Sequence, residues 1–554
     1  MPDPTSIVVV GHGMVAARLV DDLDRYADPT ALDVTVIGAE PEGAYNRLML
    51  SEVIGGRAAV DGLATPHRAT WVRVLDGVAA VRLDRERQVV VDEHGDEHPY
   101  DHVVLATGAD PRVPPLAGLE DASRWPSGVH ALRTLADCRA ILARVGSVGR
   151  AIVLGGGLLG VEAAVGLRAR GVPVTVVHSG AGPLDRQLDA ASATVLRHAL
   201  RDNGIDVVTG GRAAEVVVHD GAVAGLRLAD GSVVEGGLLV VATGVRPRSD
   251  LAADAGLPCA AGVLVDPDLR SLADPRVSAI GDCAEPPGGC SGLLAPGWDQ
   301  AAAVARRLAR QGDSHSAGPA DGAAAPTGST PDAGAAPTGS TPEAAAAPMA
   351  PAPEAAGGDV IRLKAKDLTV VALGTLPDDD LADTDVHVVT VTDLRSRRRV
   401  RVGVRDGVLV GASVVGDAQL AADLTATYER GLPVPADPAQ LLLRASEGGG
   451  GLPTAQSPAL IPGRATVCRC NGVAKSHIVA AHAAGDRTVD DVACRTRATT
   501  GCGTCTATVQ GLLEWLAEVD GDPARTASDT DDAGLLPGVA RPKHRARLGV
   551  TTPS

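Results

Sequence analysis

A chain of 554 residues, 45% hydrophobic and 21% charged, is long enough for three or four globular domains with real apolar cores. A formal net charge of −17, with no Phe, four Trp and four Tyr, argues against nucleic acid as a partner, which needs basic surface and aromatic stacking faces. MPDPTS at the start lacks the basic and apolar regions of a signal peptide, and no apolar run reaches the roughly 18 residues of a membrane span, so the expectation is a cytoplasmic protein with no membrane contact.

Residues 7–37 read as strand, glycine turn, helix, strand: IVVV, GHGMVAARLVDDL, then DVTVIG. The turn carries Gly11, Gly13 and Ala16 in the spacing G-x-G-x-x-A. The first glycine permits the tight turn, the second lets backbone approach a pyrophosphate at the helix N-terminus, and the small third residue lets helix pack on strand. Glu40, just past the second strand, is placed to hold a pair of ribose hydroxyls. The strand-turn-helix-strand pattern recurs at 151–177, with Gly155, Gly157 and Gly160, and Glu162 two residues on. Its second strand ends in His178, where an acid would favour NAD and a base the 2′-phosphate of NADP; histidine leaves that preference open. Alternating strands and helices predict an α/β architecture of two doubly wound dinucleotide-binding folds with parallel sheets.

Two near-duplicate segments flank the second fold. VVLATGADPRVP (103–114) and VVVATGVRPRSD (239–250) each end a strand in Ala-Thr-Gly and then turn, at Thr107-Gly108 and at Gly244. VSAIGDCAE (277–285) ends a strand at Asp282, which suits either a ribityl hydrogen bond or a simple turn.

Residues 311–357 contain three tandem 11-residue copies beginning AAPTGSTPDAG, a composition too poor in apolar bulk to fold and therefore read as a flexible spacer. Alternating strands resume at VIRLKAKDLTVVALG, with Asp-Gly as a hairpin turn and a helix over 418–430. EGGGGLPTAQSPALIPG reads as a second linker.

Nine cysteines in a chain of this kind do not form a disulfide framework. Cys468 and Cys470 are spaced C-x-C, and Cys502 and Cys505 C-x-x-C. Four clustered thiolates suit a structural zinc or a [2Fe–2S] cluster, and spacing alone does not choose. Cys494 is off the pattern and reads as a buried packing thiol, while Cys283 and Cys290 read as structural or incidental. Arg464, Arg469 and Lys475 surround the ligands, either to offset cluster charge, to dock an acidic partner, or as plain solvated surface.

GHGMVA, the two ATG motifs, GGGLLGVE and AIGDCAE, in this order over residues 7–310, resemble the two-dinucleotide flavoprotein pyridine-nucleotide reductases. The resemblance implies FAD at the first fold and at Asp282, and NAD(P)H at the second. It also implies that Arg47 and Ser51 line the flavin site, that Trp298 lies near the flavin or packs in the core, and that Thr107, Gly108 and Gly244 belong to the cofactor sites. No Cys occurs between Glu42 and Gly56, which removes the redox cysteines of disulfide reductases. VCRCNGVAKSHIVAA and TRATTGCGTC resemble the bacterioferritin-associated-ferredoxin-like [2Fe–2S] domain, which favours iron–sulfur over zinc.

Together the modules resemble the group of NAD(P)H nitrite reductase large subunits and electron-transfer subunits of assimilatory nitrate reductases, here interrupted by the repeat spacer. No Cys follows Cys505 to ligate a sirohaem and [4Fe–4S] domain, so the expectation is the electron-transfer member. Hydride from NAD(P)H would reach FAD, and single electrons would pass through the cluster to a molybdenum-containing nitrate reductase catalytic subunit. Rivals are a reductase serving a nitrite reductase module or a ferredoxin- or rubredoxin-like carrier, and a non-catalytic ferritin-docking protein.

The expected organisation is FAD-binding at 1–115 and 245–310, NAD(P)-binding at 116–244 and spacer at 311–357. A small α+β domain at 358–435, linker at 436–464, [2Fe–2S] domain at 465–520 and disordered tail at 521–554 complete it. Shortening the 436–464 linker is expected to slow acceptor reduction while leaving flavin reduction by NAD(P)H intact; unchanged acceptor turnover would show that no swinging motion is needed.

Overall fold

Short β-branched runs buried on both faces favour parallel strands, and the first such run, Thr5–Val10, lies at the centre of a six-stranded sheet. The computed structural model describes residues 3–65, 69–121, 124–316, 360–363, 365, 368–377, 385–435, 437–443, 458, 461, 463–468, 471–500 and 505–520. The chain divides into two units, Met1–Thr454 and Ala455–Ser554.

In the first unit, the sheet order is Arg270–Ser271, Asp274–Ala279, His102–Leu105, Thr5–Val10, Leu32–Gly38, Arg73–Asp76. Thr5 pairs with Leu32, and Ile7 with His102, both in parallel register. Val9, Val36, Val103 and Val104 are fully buried, each contributing about 1.5–3 kcal/mol of apolar burial. Strand Asp274–Ala279 pairs with His102–Leu105, so the sheet is completed only after the second fold has been threaded between them. Helix Met14–Tyr26 packs against helix Leu294–Ser316. That second helix runs to Ser316, past the expected start of the spacer at 311, because Arg-Leu-Ala-Arg-Gln continues a good helical sequence.

The inserted fold is a five-stranded parallel sheet in the order Ile205–Thr209, Val174–His178, Ala151–Leu154, Leu238–Val241, Val129–Ala131. Helices Leu135–Val145, Leu158–Ala169 and Ala190–Asp202 accompany it. The ATG segments meet where the two folds join: Val245–Pro247 pairs antiparallel with Ala109–Pro111. Arg112 N–H donates to the Gly244 carbonyl and Arg248 N–H to the Gly108 carbonyl, each at 2.9 Å. The hydroxyls repeat the exchange, Thr107 Oγ1 donating to Arg248 O and Thr243 Oγ1 to Arg112 O. The sequence duplicates are thus the two halves of one local two-fold.

Residues 360–429 add an antiparallel sheet in the order Val360–Arg362, Val370–Gly374, Val408–Val415, Arg398–Arg405, His387–Asp393, covered by helix Ala418–Glu429. Its Asp406-Gly407 turn has positive φ at both residues, +50° and +73°, as a tight hairpin requires. Arginines from this sheet reach the inserted fold. Arg399 donates to Ser192 Oγ at 3.1 Å and to Asp189 at 3.2 Å, and Arg401 lies 3.4 Å from the other Asp189 oxygen.

The second unit contains the hairpin Thr466–Cys468 with Val473–Ala474 and helices Lys475–Ala483, Val489–Thr496 and Thr506–Asp520. Ile478, Val492, Val509 and Leu512 form its fully buried centre. No helix among the described residues is long and apolar enough to cross a membrane. The repeats and the tail at 521–554 lie outside the described residues.

Candidate functional site

A cleft of about 550 Å³ opens at the carboxyl ends of the first fold's strands, where open α/β sheets bind ligands. Gly11, Gly13, Glu40, Arg47, Thr107, Gly108 and Asp282 all line it. Gly11 has φ +107°, and a Cβ there would stand 2.2 Å from the Ala106 carbonyl oxygen. No other residue fits that turn. Gly13 caps helix Met14–Tyr26, whose unpaired N–H groups and dipole favour an anion at this end. Ala16 is fully buried beneath the turn and does not line the cleft.

Glu40 and Arg47 meet: Arg47 Nη2 donates to Glu40 Oε1 at 2.8 Å. Tyr45 OH donates to the other Glu40 oxygen, and burial, ahead of that carboxylate, pushes the Tyr45 phenol well above its ordinary range. Asp282 sits in the turn Gly281–Cys283 and accepts from Arg133 Nη2 at 2.7 Å. Gly281 N–H donates to Gln300 Oε1 at 2.7 Å, tying that turn to helix Leu294–Ser316. Arg133, His12 with its 2.6 Å contact to Asp76, and Arg248 also line the cleft. Sequence reasoning missed these three. His12 stood inside the GHG turn, but nothing local marked Arg133, which arrives from the inserted fold.

Two residues expected at the flavin do not line this cleft. Ser51 is buried, and its Oγ donates to Glu162 Oε2 at 2.9 Å. One residue expected at the flavin and one expected at the nicotinamide nucleotide therefore pair with each other, where helix Leu50–Ile54 packs on helix Leu158–Ala169. Trp298 is 6% exposed and is part of the core, outside the cleft lining.

The second glycine turn repeats the first. Gly155 has φ +116°, and its Cβ would lie 2.3 Å from the Ala242 carbonyl oxygen. A Cβ at Gly160 would lie 2.0 Å from the Gly155 oxygen, so helix and turn are in backbone contact. At Gly157, the cap of helix Leu158–Ala169, a Cβ would meet nothing within 4 Å. His178 Nδ1 accepts from Gly156 N–H at 3.2 Å, which turns Nε2 toward Asp185, 3.1 Å away. Gly244, with φ +104°, lies at the junction ribbon.

In the second unit, Cys468 is 1% exposed and Cys505 is 7% exposed. A hydrogen bond from the Cys505 thiol, ahead of backbone and Asn471 N–H donors, draws the Cys468 thiol down to about 6. Two adjoining buried sulfurs, one held toward thiolate, fit an iron–sulfur ligand set. Cys470 and Cys502 lie outside the described residues.

Two other expectations are corrected. Cys494 is exposed, because it falls on the outer face of helix Val489–Thr496. Lys475 is buried, its Nζ donating to the Pro458 and Ile461 carbonyls and lying 4.5 Å from the Trp515 ring, so it neither faces solvent nor docks a partner. Cys283 is buried as expected of a structural thiol, its Sγ 3.3 Å from the Leu105 and Ile280 carbonyls.

Residues 5–307 match the pyridine nucleotide-disulphide oxidoreductase family, and residues 466–515 the BFD-like [2Fe-2S] binding domain. The chain is 28% identical over 534 residues to the assimilatory nitrate reductase electron transfer subunit of Bacillus subtilis (strain 168), covering 94% of this chain and 61% of the relative. It is 28% identical over 516 residues to the nitrite reductase [NAD(P)H] of the same organism, covering 92% and 57%. It thus spans about three-fifths of the length of these curated relatives. The fold is similar to that in the covalent putidaredoxin reductase–putidaredoxin complex, with TM-score 0.61, 20% identity, and coverage of 80% of this chain and 99% of that one.

Proposed function

The chain belongs to the pyridine nucleotide-disulphide oxidoreductase family, as an FAD-dependent NAD(P)H oxidoreductase with a BFD-like [2Fe-2S] domain, and from that premise we propose that it supplies electrons to a separate nitrate reductase catalytic subunit. FAD and the cluster supply the conversion of a two-electron hydride donor into single electrons. The protein's share is binding and orientation. Gly11, Gly13 and the N-terminus of helix Met14–Tyr26 hold the FAD pyrophosphate, Glu40 with Arg47 the ribose, and Asp282 with Arg133 the ribityl side. Gly155, Gly157 and Gly160 receive NAD(P)H, with His178 beside the adenosine ribose. Ser51 and Glu162 tie the two folds together through their hydrogen bond. Cys468, Cys470, Cys502 and Cys505 hold the cluster.

The observation that carries this reading is one chain joining two glycine turns of closely similar geometry to a pair of buried cysteines. Similarity along 94% of the chain to a subunit named for nitrate reductase favours a molybdenum enzyme as partner; the matching nitrite reductase favours, as second reading, a sirohaem module. A need for NAD(P)H, which the cytoplasm supplies, supports a cytoplasmic location.

Anaerobic titration of the purified chain with NADH or NADPH tests the internal path. Bleaching of both flavin and thiolate-to-iron absorbance is expected; flavin bleaching alone overturns it. Mixing with a molybdenum-containing catalytic subunit and nitrate is then expected to yield nitrite at the expense of NAD(P)H. Turnover only with a sirohaem module would establish the second reading instead.

A further inference from the structure

We propose that Asn471 and the left-handed turn at Thr499 form an N–H cradle around the Cys468 sulfur that raises the reduction potential of the cluster bound there. The inference rests on the assignment of Cys468 as a cluster ligand. Asn471 Nδ2 lies 3.7 Å from the Cys468 sulfur, 2.5 Å from the Arg497 carbonyl oxygen and 3.3 Å from Thr500 Oγ1. An amide nitrogen accepts nothing, so its two hydrogens are shared among these three acceptors. One side chain therefore ties the hairpin Thr466–Cys468 and Val473–Ala474 to the turn that follows helix Val489–Thr496.

Backbone completes the cradle. Backbone N–H donors at Asn471 and Thr499 also favour the thiolate form of Cys468. Thr499 has φ +73°, and Arg497, two residues earlier, has φ +65°. A β-branched residue in the left-handed region is strained, and such strain persists only where the surroundings impose it, commonly at functional sites. Here Asn471, in contact with the sulfur, clamps the strained turn beside it through Arg497 and Thr500. Glycine would adopt this backbone without strain, but the side chain of Thr499 is not what reaches the sulfur.

The physical consequence has a definite sign. One-electron reduction adds a negative charge to the cluster and makes or breaks no bond to the protein. N–H donors at a ligand sulfur stabilise that added charge, so they shift the equilibrium toward the reduced state. Reduced flavin supplies the electron, and a higher cluster potential draws it forward.

Asn471→Leu removes the amide donor without adding charge. In an EPR-monitored redox titration of the full chain, it is expected to lower the equilibrium constant for cluster reduction about tenfold, which is about 59 mV for one electron. Thr499→Gly retains the backbone N–H and is expected to leave the potential unchanged while relieving strain, seen as a higher melting temperature. Iron and sulfide are quantified first: a wild-type chain without them defeats the ligand assignment itself, whereas a cluster-bearing Asn471→Leu with unaltered potential defeats the cradle alone. Should Asn471→Leu lose its cluster, the wild-type protein provides the second measurement. Transfer to D2O is expected to shift the Fe–S(Cys) resonance Raman bands, and bands indifferent to the isotope would overturn the proposal.

Discussion

Gly155→Ala and Gly157→Ala are expected to separate folding from nucleotide binding at the second turn. At Gly155 the new Cβ would press on the Ala242 carbonyl oxygen at 2.3 Å, in a backbone conformation of φ +116°. Residues forced into such regions cost about 1–3 kcal/mol, before the displaced carbonyl is counted. Gly155→Ala should therefore lower the melting temperature and also raise KM for NAD(P)H. At Gly157 a Cβ would meet nothing within 4 Å, so stability should change by less than about 1 kcal/mol. The added methyl nonetheless occupies the space through which a pyrophosphate approaches the helix N-terminus. We expect Gly157→Ala to weaken NAD(P)H binding about tenfold, or about 1.4 kcal/mol, with flavin content unchanged. Stopped-flow flavin reduction against NADH concentration, beside thermal unfolding, measures both. A Gly157→Ala protein with unaltered KM would remove this turn from the nucleotide site.

Asp189→Ala is expected to be the most destabilising single change at the surface between the inserted fold and the antiparallel sheet. The Asp189 side chain accepts from the Ala191 and Ser192 N–H groups at the start of helix Ala190–Asp202 and receives Arg399 and Arg401. Arg401 is 3% exposed. Removing the carboxylate strips the helix cap and takes one acceptor away from both arginines, a loss of about 1–3 kcal/mol. Urea unfolding of the full chain measures it. Burial alone would raise the Asp189 pKa, but hydrogen bonds from Ser192 and the Arg399 and Arg401 charges outweigh it and hold the carboxyl below its ordinary value. The stabilisation is present above the unfolded-state value of about 4 and is lost as pH falls below it. Wild type should thus lose stability on acidification more steeply than Asp189→Ala; parallel pH profiles would refute the assignment.

Periodicity and spacing made the two doubly wound folds readable, because each strand-turn-helix unit is local: Gly11 and Gly155 signal their turns within a few residues. The Asp406-Gly407 hairpin and the helix beginning at Ala418 were legible for the same reason. What stayed hidden depends on long-range packing. Arg133 reaches Asp282 across 149 positions of sequence, and Ser51 reaches Glu162 across 111. No pattern in a single chain announces such pairs. The same cause hid the pairing of Ser51 with Glu162 and the burial of Lys475, since a hydroxyl or an ammonium looks alike in sequence whether it faces a ligand, water or a buried carbonyl. The helix residues Gln311–Ser316 were missed because the repeats beyond them dominate the local composition.

The ribbon joining Ala109–Pro111 to Val245–Pro247 has a practical meaning for protein engineering. The polypeptide leaves the first fold and comes back to it through two adjacent, mutually hydrogen-bonded segments, so everything between is a cassette with its splice points side by side. Exchanging residues 112–244 for the corresponding stretch of a relative with the opposite coenzyme preference would transplant that preference whole. The redesign then reduces to matching one short ribbon and the contacts at Ser51, Arg133 and Asp189, instead of rebuilding a binding site residue by residue.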